Sequence, residues 1–225
     1  MGIINNICDG VYCVDTELRI TFWNKAAEGM TGYPEDDITG EIFTQKSPIV
    51  YDDSLIENLS HMAMHDQLTK VANRRMVESF LEFKLNEINR FQNKFCVVFL
   101  DIDNFRNFNN TYGHDIGDEV LIRVSESISH TVRKTDLFGR WGGEEFIGIF
   151  DVKEDNEALL LTEKLRTLIE KTEIPYGDEM LSVTVSLGAT IAIDSDNIDS
   201  VVKRADDLMY KSKQNGKNRV STDAI

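Results

Sequence analysis

The sequence predicts an α+β fold, a sheet with helices packed over it, and three observations carry that prediction. Residues 95–100 (Phe-Cys-Val-Val-Phe-Leu) form an unbroken apolar run rich in β-formers, the pattern of a strand covered on both faces. Residues 138–150 place two apolar runs around the pair Gly142-Gly143, the composition of a tight hairpin whose central residues take positive φ. Between and after these strands lie stretches with helical apolar spacing, near 119–132, 156–172 and 198–214. Strands and helices mixed in this order define an α+β architecture.

The 225 residues leave room for one large or two small domains, and an apolar content of 41% with 28% charged residues is that of an ordinary globular chain. The formal net charge of −15 argues against nucleic acid or an anionic membrane as partner, because both would repel the chain. A polyphosphate remains an acceptable substrate if divalent cations screen it, so the charge favours metal-assisted chemistry. No apolar run approaches a membrane span, and residues 1–6 lack the pattern of a secretory signal. Cys8, Cys13 and Cys96 neither pair off nor show metal-ligand spacing, which suits a reducing cytoplasm.

In chain order, residues 10–15 and 19–24 read as a hairpin around Asp15-Thr16-Glu17, followed by a short helix over 25–31 that ends at Gly32-Tyr33-Pro34. Here Asp9-Gly10, Val14-Asp15, residues 20–24, Ala26, Gly32-Tyr33 and Gly40 resemble the opening of a PAS sensor domain. That fold closes its cavity with three further strands, yet residues 41–60 hold no second β-rich block. A truncated remnant, completion by a partner chain and a shortened domain all fit, and no buried cofactor or sensory ligand is expected. The expected division is a partial PAS-like segment over 1–45, a linker helix over 46–64 and a second domain over 65–225. Leu55, Leu59 and Met62 recur at four-then-three spacing, a brief stripe suited to pairing two chains but too short to hold them alone.

The second domain opens with His65-Asp66-Gln67-Leu68-Thr69 and Asn73-Arg74-Arg75, then an amphipathic helix to about Asn89. The strand over 95–100 ends in Asp101-Ile102-Asp103. Phe105, Asn109, a Tyr112-Gly113-His114 turn and a Gly117-Asp118 step then lead into the helix predicted from Glu119. Beyond the hairpin come the helix over 156–172, a Pro175-Tyr176-Gly177 turn, one long strand over 181–193, the helix over 198–214 closed by Gly216, and a short strand over 219–221.

Two acidic sites stand out: Asp101 with Asp103 at the end of a buried strand, and Glu144 with Glu145 at the hairpin turn. Neighbouring strand residues point to opposite faces, so one glutamate can face a metal and the other a substrate or cation. If the two strands adjoin, their carboxylates meet at one sheet edge, and with the Ile102 carbonyl they form a hard-oxygen set suited to Mg²⁺ and substrate phosphates. Read singly, each site also fits a plainer role: turn-forming aspartates, or a solvated hairpin tip.

Taken together, the motifs Asp101-Ile102-Asp103-Asn104-Phe105, Asn109, Gly113-His114, Gly117-Asp118 and Gly142-Gly143-Glu144-Glu145-Phe146, with the leading His65–Thr69 and Asn73–Arg75 motifs, resemble the GGDEF domain of diguanylate cyclases over roughly 65–220. The resemblance implies a palm-like domain with a central, mainly antiparallel sheet. It also implies condensation of two GTP into cyclic di-GMP with loss of two pyrophosphates, dependent on Mg²⁺ or Mn²⁺. By the same resemblance Asp101, the Ile102 carbonyl, Glu144 and Glu145 hold metal, and Glu144 or Glu145 takes the proton of the attacking hydroxyl. Asn109 and Asp118 would read guanine, and Phe105, Arg106, Lys213 and Lys217 would meet the phosphates. Taken alone, Asn109 and Asp118 also fit a turn residue and a helix N-cap, and the two lysines fit a helix C-terminus. Lys217 replaces a usual Arg, Arg106 a usual Lys and Asn110 a common Asp. Arg133 and Asp136 match the RxxD product-inhibition site, joined by Arg140, where a helix-end ion pair is the plainer alternative. His114 is expected to be a structural turn residue. One such domain carries one GTP, so the reaction requires a homodimer. Two other functions fit the motifs: a catalytically silent cyclic di-GMP receptor, or a transferase making another cyclic dinucleotide.

Overall fold

The computed structural model describes residues 10–40 apart from 11, 16 and 18, and residues 64–223 apart from 92, 93 and 134. The Leu55, Leu59, Met62 stripe lies outside the described residues. The chain divides into two compact units, Met1–Glu57 and Asn58–Ile225.

In the first unit β1 (Tyr12–Val14) pairs antiparallel with β2 (Ile20–Trp23), and α1 (Lys25–Thr31) and α2 (Glu35–Ile38) follow. The predicted turn forms because Asp15 Oδ1 accepts from the backbone of both Glu17 and Arg19, 2.9 Å each. Asn24 caps α1 through a bond from Ala27 N, and Gly32 ends the helix with φ 77°. Ile20, Trp23, Ala27 and Ile38 form its small core.

In the second unit α3 (Arg74–Phe91) leads to β3 (Phe95–Ile102), then α4 (Phe105–Tyr112), α5 (His114–Ser129), β4 (Leu137–Gly142), β5 (Glu145–Asp151), α6 (Asp155–Glu170), a small hairpin of β6 (Ile174–Tyr176) and β7 (Glu179–Leu181), β8 (Val185–Ile191), α7 (Ile198–Gln214) and β9 (Arg219–Thr222). The main sheet runs β4-β5-β3-β8-β9, antiparallel except for β8–β9. Every residue of β3 is buried because both faces are covered. Cys96, Val98, Leu100 and Ile102 pack with Val120 and Val124 of α5 and Leu165 of α6. Phe95, Val97 and Phe99 pack on the other face with Val77 and Leu81 of α3 and Val201, Ala205 and Met209 of α7. The sheet thus lies between two helical layers, as the α+β expectation requires.

Three local expectations are corrected, and a segment that the sequence leaves unassigned, 105–112, proves helical. Of the Gly142-Gly143 pair, Gly143 alone has positive φ (54°). Gly142 stays in β4 opposite Glu145, so Gly143 and Glu144 form the turn. Residues 105–112 are helical although Asn-rich, because Phe105 and Phe108 pack into the core. α5 begins at His114 rather than Glu119, which makes Asp118 its fifth residue and removes the N-cap alternative. The long strand over 181–193 is broken at residues 182–184, where Thr184 leaves the sheet: its carbonyl accepts from Asp103 N at 2.8 Å and its hydroxyl donates to Asp103 Oδ2 at 2.7 Å.

Candidate active site

The antiparallel pairing of β3 and β5 sets Asp101 directly opposite Glu145, so the two side chains stand on one face of the sheet. It is the face covered by α7, which brings Lys213 Nζ to 2.6 Å from Asp101 Oδ2. Glu144, in the turn, accepts a 3.3 Å backbone bond from Ile102 N and so ties the turn to the end of β3. Burial pushes the Asp101 carboxyl up to about 6; Lys213 pulls it down, and Glu144 and Glu145 push it up again. Burial also raises Glu145, with Asp206 of α7 and Glu144 adding to the rise. Glu145 lines a hollow of about 330 Å³ with Arg74, Trp141, Lys203 and Asp206. Nothing in the spacing of the sequence marked Asp206; only the packing of α7 brings it there.

Asp103 does not join this cluster. Its buried carboxylate accepts from Thr184 Oγ1 and Ser186 Oγ at 2.7 Å each and from Asn218 N at 3.0 Å, a structural anchor rather than an open acid. The expected pair of aspartates thus contributes Asp101 alone.

Among the described residues two buried side-chain polar atoms have no hydrogen-bond partner, Asp101 Oδ1 and Asn109 Oδ1. An orphaned buried oxygen is costly and points to something that completes it. For Asp101 a divalent cation fits: the donors are hard oxygens, and Ile102, whose side chain is in the core, has its main-chain carbonyl to offer. Side chains alone make no cage, since no group of three or more His, Cys, Asp or Glu among the described residues is placed to hold a metal. Mg²⁺ needs only one or two carboxylates when phosphates supply the rest. For Asn109 the missing partner is a donor. Its side chain rests on Gly117, where an added Cβ would fall 1.9 Å from Oδ1; the exposed Asp118 is the next residue.

Phe105 is buried and can meet a phosphate only through its backbone, whereas Arg106 is exposed. Both sit in the first turn of α4, whose amides lack intrahelical partners and whose preceding Asn104 provides no side-chain cap. Lys217 Nζ donates to Asn104 Oδ1, placing a lysine at the start of this helix.

Arg133 and Asp136 line a separate groove of about 560 Å³ with Lys94, Lys153, Leu160 and Lys164. Asp136 also works within the fold, accepting from Arg133 N at 3.3 Å and from Asp151 N at 3.1 Å. Arg140 is not among the groove's lining residues. Its guanidinium bonds to both carboxylate oxygens of Asp66, at 3.1 and 3.3 Å, and to the Gly143 carbonyl at 2.9 Å. Burial pushes Asp66 up, but bonds from Thr69 N, Thr69 Oγ1 and Arg140 outweigh it and hold the carboxyl below its usual range. His114, exposed, begins α5.

The fold thus gathers the carboxylates of Asp101 and Glu145, with Glu144 in the adjoining turn, at one end of the interior strands β3 and β5. The sequence profile described as "Diguanylate cyclase, GGDEF domain" matches residues 63–219, and the chain belongs to that family. A PAS fold profile matches residues 2–86, overlapping the first match. The chain is 33% identical over 168 residues to the diguanylate cyclase DosC of Escherichia coli, covering 74% of this chain and 36% of that protein. It is 35% identical over 190 residues to the response regulator PleD of Caulobacter vibrioides, covering 82% and 42%. The chain therefore spans less than half the length of these two relatives. The crystal structure of the coiled coil and GGDEF domain of DgcB from Caulobacter crescentus, in complex with c-di-GMP, superposes with a TM-score of 0.71 at 29% identity, covering 76% of this chain and 91% of that one. No helix among the described residues is long and apolar enough to cross a membrane.

Proposed function

We propose that the chain is a diguanylate cyclase that joins two GTP into cyclic di-GMP with release of two pyrophosphates. The observation that carries the reading is the pair of buried oxygens without a hydrogen-bond partner: Asp101 Oδ1 suits a cation, and Asn109 Oδ1 suits a donor such as the guanine N2–H. Both belong to residues whose types suit these two ends of GTP.

Asp101, the Ile102 carbonyl, Glu144 and Glu145 are the groups that would hold Mg²⁺ or Mn²⁺. The chemistry such an ion would supply when bound is Lewis acidity, which would favour loss of the attacking hydroxyl's proton and offset charge on the leaving pyrophosphate. The chain's own part is positional and electrostatic. Asn109 and Asp118 orient the base. The first-turn amides of α4 at Phe105 and Arg106, with Lys213 and Lys217, hold the phosphates. Glu144 or Glu145 takes the hydroxyl's proton.

The domain carries one GTP, so the reaction takes place between two copies of the chain acting as a homodimer. Arg133 and Asp136 bind the product and restrain the enzyme; Arg140 supports this site only indirectly, since Asp66 and Gly143 engage it. The free thiols of Cys13 and Cys96 fit work in the reducing cytoplasm. Incubation with GTP and Mg²⁺, with the product identified by mass, tests the proposal. Cyclic di-GMP and pyrophosphate are the expected products, and binding of cyclic di-GMP without turnover would make the chain a receptor instead.

A further inference from the structure

We infer that Arg166 and Asn218 are positioning residues for Lys217, holding it at the start of α4 through a chain of bonds that ends at Asp103. The inference rests on the reading of Lys217 as a phosphate contact.

The starting observation is a run of backbone in the left-handed region. Gly216, Lys217 and Asn218 have φ of 113°, 63° and 45°, so two consecutive residues with side chains adopt a conformation that such residues rarely enter. Backbone of this kind persists only where its surroundings hold it, and it collects at functional sites. Lys217 sits in the middle of the run, and its ammonium reaches Asn104 Oδ1 at the start of α4.

Within the run the Lys217 backbone is tied by its N–H to the Ser212 carbonyl at 3.0 Å and by its carbonyl to Arg219 Nε at 3.1 Å, and two further anchors hold Asn218, one through its backbone and one through its side chain. On the backbone side, Asn218 N donates to Asp103 Oδ2 at 3.0 Å. Asp103 is 6% exposed and is itself fixed by the hydroxyls of Thr184 and Ser186. On the side-chain side, Asn218 Oδ1 accepts from Arg166 Nη1 and Asn218 Nδ2 donates to Glu170 Oε1, 2.8 Å each. Arg166 is held in turn by Glu163 at 2.8 Å and Glu170 at 2.9 Å, all three on α6. The amide of Asn218 thus uses its acceptor and a donor on a rigid helix while its backbone is locked to the end of β3. Both anchors oppose relaxation of residues 217 and 218 to ordinary φ, which would carry the Lys217 side chain away from Asn104. Neither Arg166 nor Asn218 touches the substrate in this account; they act through Lys217.

The test is a double-mutant cycle read by equilibrium affinity, using calorimetry on the full chain with a non-hydrolysable GTP analogue and, in parallel, GMP. Lys217→Ala is expected to weaken the GTP analogue about tenfold and Arg166→Ala about fivefold, with GMP affinity unchanged in both because GMP lacks the terminal phosphates. The double variant is expected to bind the analogue no more weakly than Lys217→Ala alone. Multiplying losses in the double variant, an unchanged analogue affinity in Arg166→Ala, or an equal loss for GMP in Arg166→Ala overturns the positioning role while leaving Lys217 a phosphate contact; an equal loss for GMP in Lys217→Ala overturns the terminal-phosphate reading as well. An unchanged affinity in Lys217→Ala overturns the phosphate reading and this inference with it. If Arg166→Ala unfolds, Glu170→Ala, which removes the partner of Asn218 Nδ2, is read by the same criteria.

Discussion

Asp101 Oδ2 lies 2.6 Å from Lys213 Nζ, and the same carboxylate's other oxygen is buried without a partner. One acid therefore faces both a fixed cation and an unmet demand for a second. Removing the lysine leaves Asp101, Glu144 and Glu145 mutually repelling at the end of the sheet. Lys213→Ala is expected to cost about 1.5–3 kcal/mol of stability in metal-free protein, the range for a charged hydrogen bond, and added Mg²⁺ is expected to recover part of it. Urea unfolding with and without Mg²⁺ measures both, and identical curves for variant and parent contradict the role given to the pair.

The raised Asp101 carboxyl sets a pH window. Its folded value of about 6 stands above the ordinary 3.8, so its own contribution to metal-free stability is full below 3.8 and is lost as pH rises through about 6. A cation requires the ionised form, so the increase in Tm produced by Mg²⁺ is expected above about pH 6 and to fade below it, with affinity falling about tenfold per pH unit. Thermal melts at fixed Mg²⁺ from pH 5 to 8 check this, and a Mg²⁺ effect that is flat across the range argues against Asp101 as a ligand.

Gly117 leaves room for Asn109. In Gly117→Ala the new Cβ would fall 1.9 Å from Asn109 Oδ1, and the flexible amide is the atom group free to move. The expected outcome is an intact fold with about tenfold weaker GTP affinity and a reduced preference for GTP over ATP. Retained preference would release Asn109 from base recognition.

Glu144 is held at the turn by its own backbone bond to Ile102, so truncating its side chain leaves the hairpin standing. Glu144→Ala is expected to lower turnover by on the order of 10²–10³ or more with an unchanged circular-dichroism spectrum. Undiminished pyrophosphate release would refute the assignment of the acidic turn.

Arg133 and Arg140 were grouped by sequence but differ in surroundings. The side chain of Arg133 is exposed, whereas Arg140 bridges Asp66 and Gly143. Arg133→Ala is expected to relieve inhibition by added cyclic di-GMP with Tm unchanged, and Arg140→Ala to lose about 1.5–3 kcal/mol of stability. Inhibition curves and melts on the two variants separate these roles; equal effects would merge them.

Much of this site is written in local pattern. The apolar run at 95–100 specifies a buried strand, and the runs around Gly142-Gly143 specify a hairpin. Acidic residues at both ends then mark Asp101, Glu144 and Glu145 before any fold is known. The helix over 25–31 matches α1 and the helix over 198–214 matches α7, because caps and apolar spacing act within a few residues.

What tertiary structure decided depends on partners far away in the chain. Asp103 reads like Asp101 in sequence, yet Thr184 and Ser186, 81 and 83 positions on, consume its carboxylate, and Thr184 does so from the break at 182–184 in the predicted strand. Asp66 takes Arg140 from 74 positions away, and Arg166 takes Asn218 from 52. Local propensity set most of the strands and helices, though not the helix at 105–112 or the break at 182–184. Register and long-range hydrogen bonds, which no local pattern encodes, decided that Asp101 stands opposite Glu145 with one oxygen unbonded while Asp103 became part of the frame.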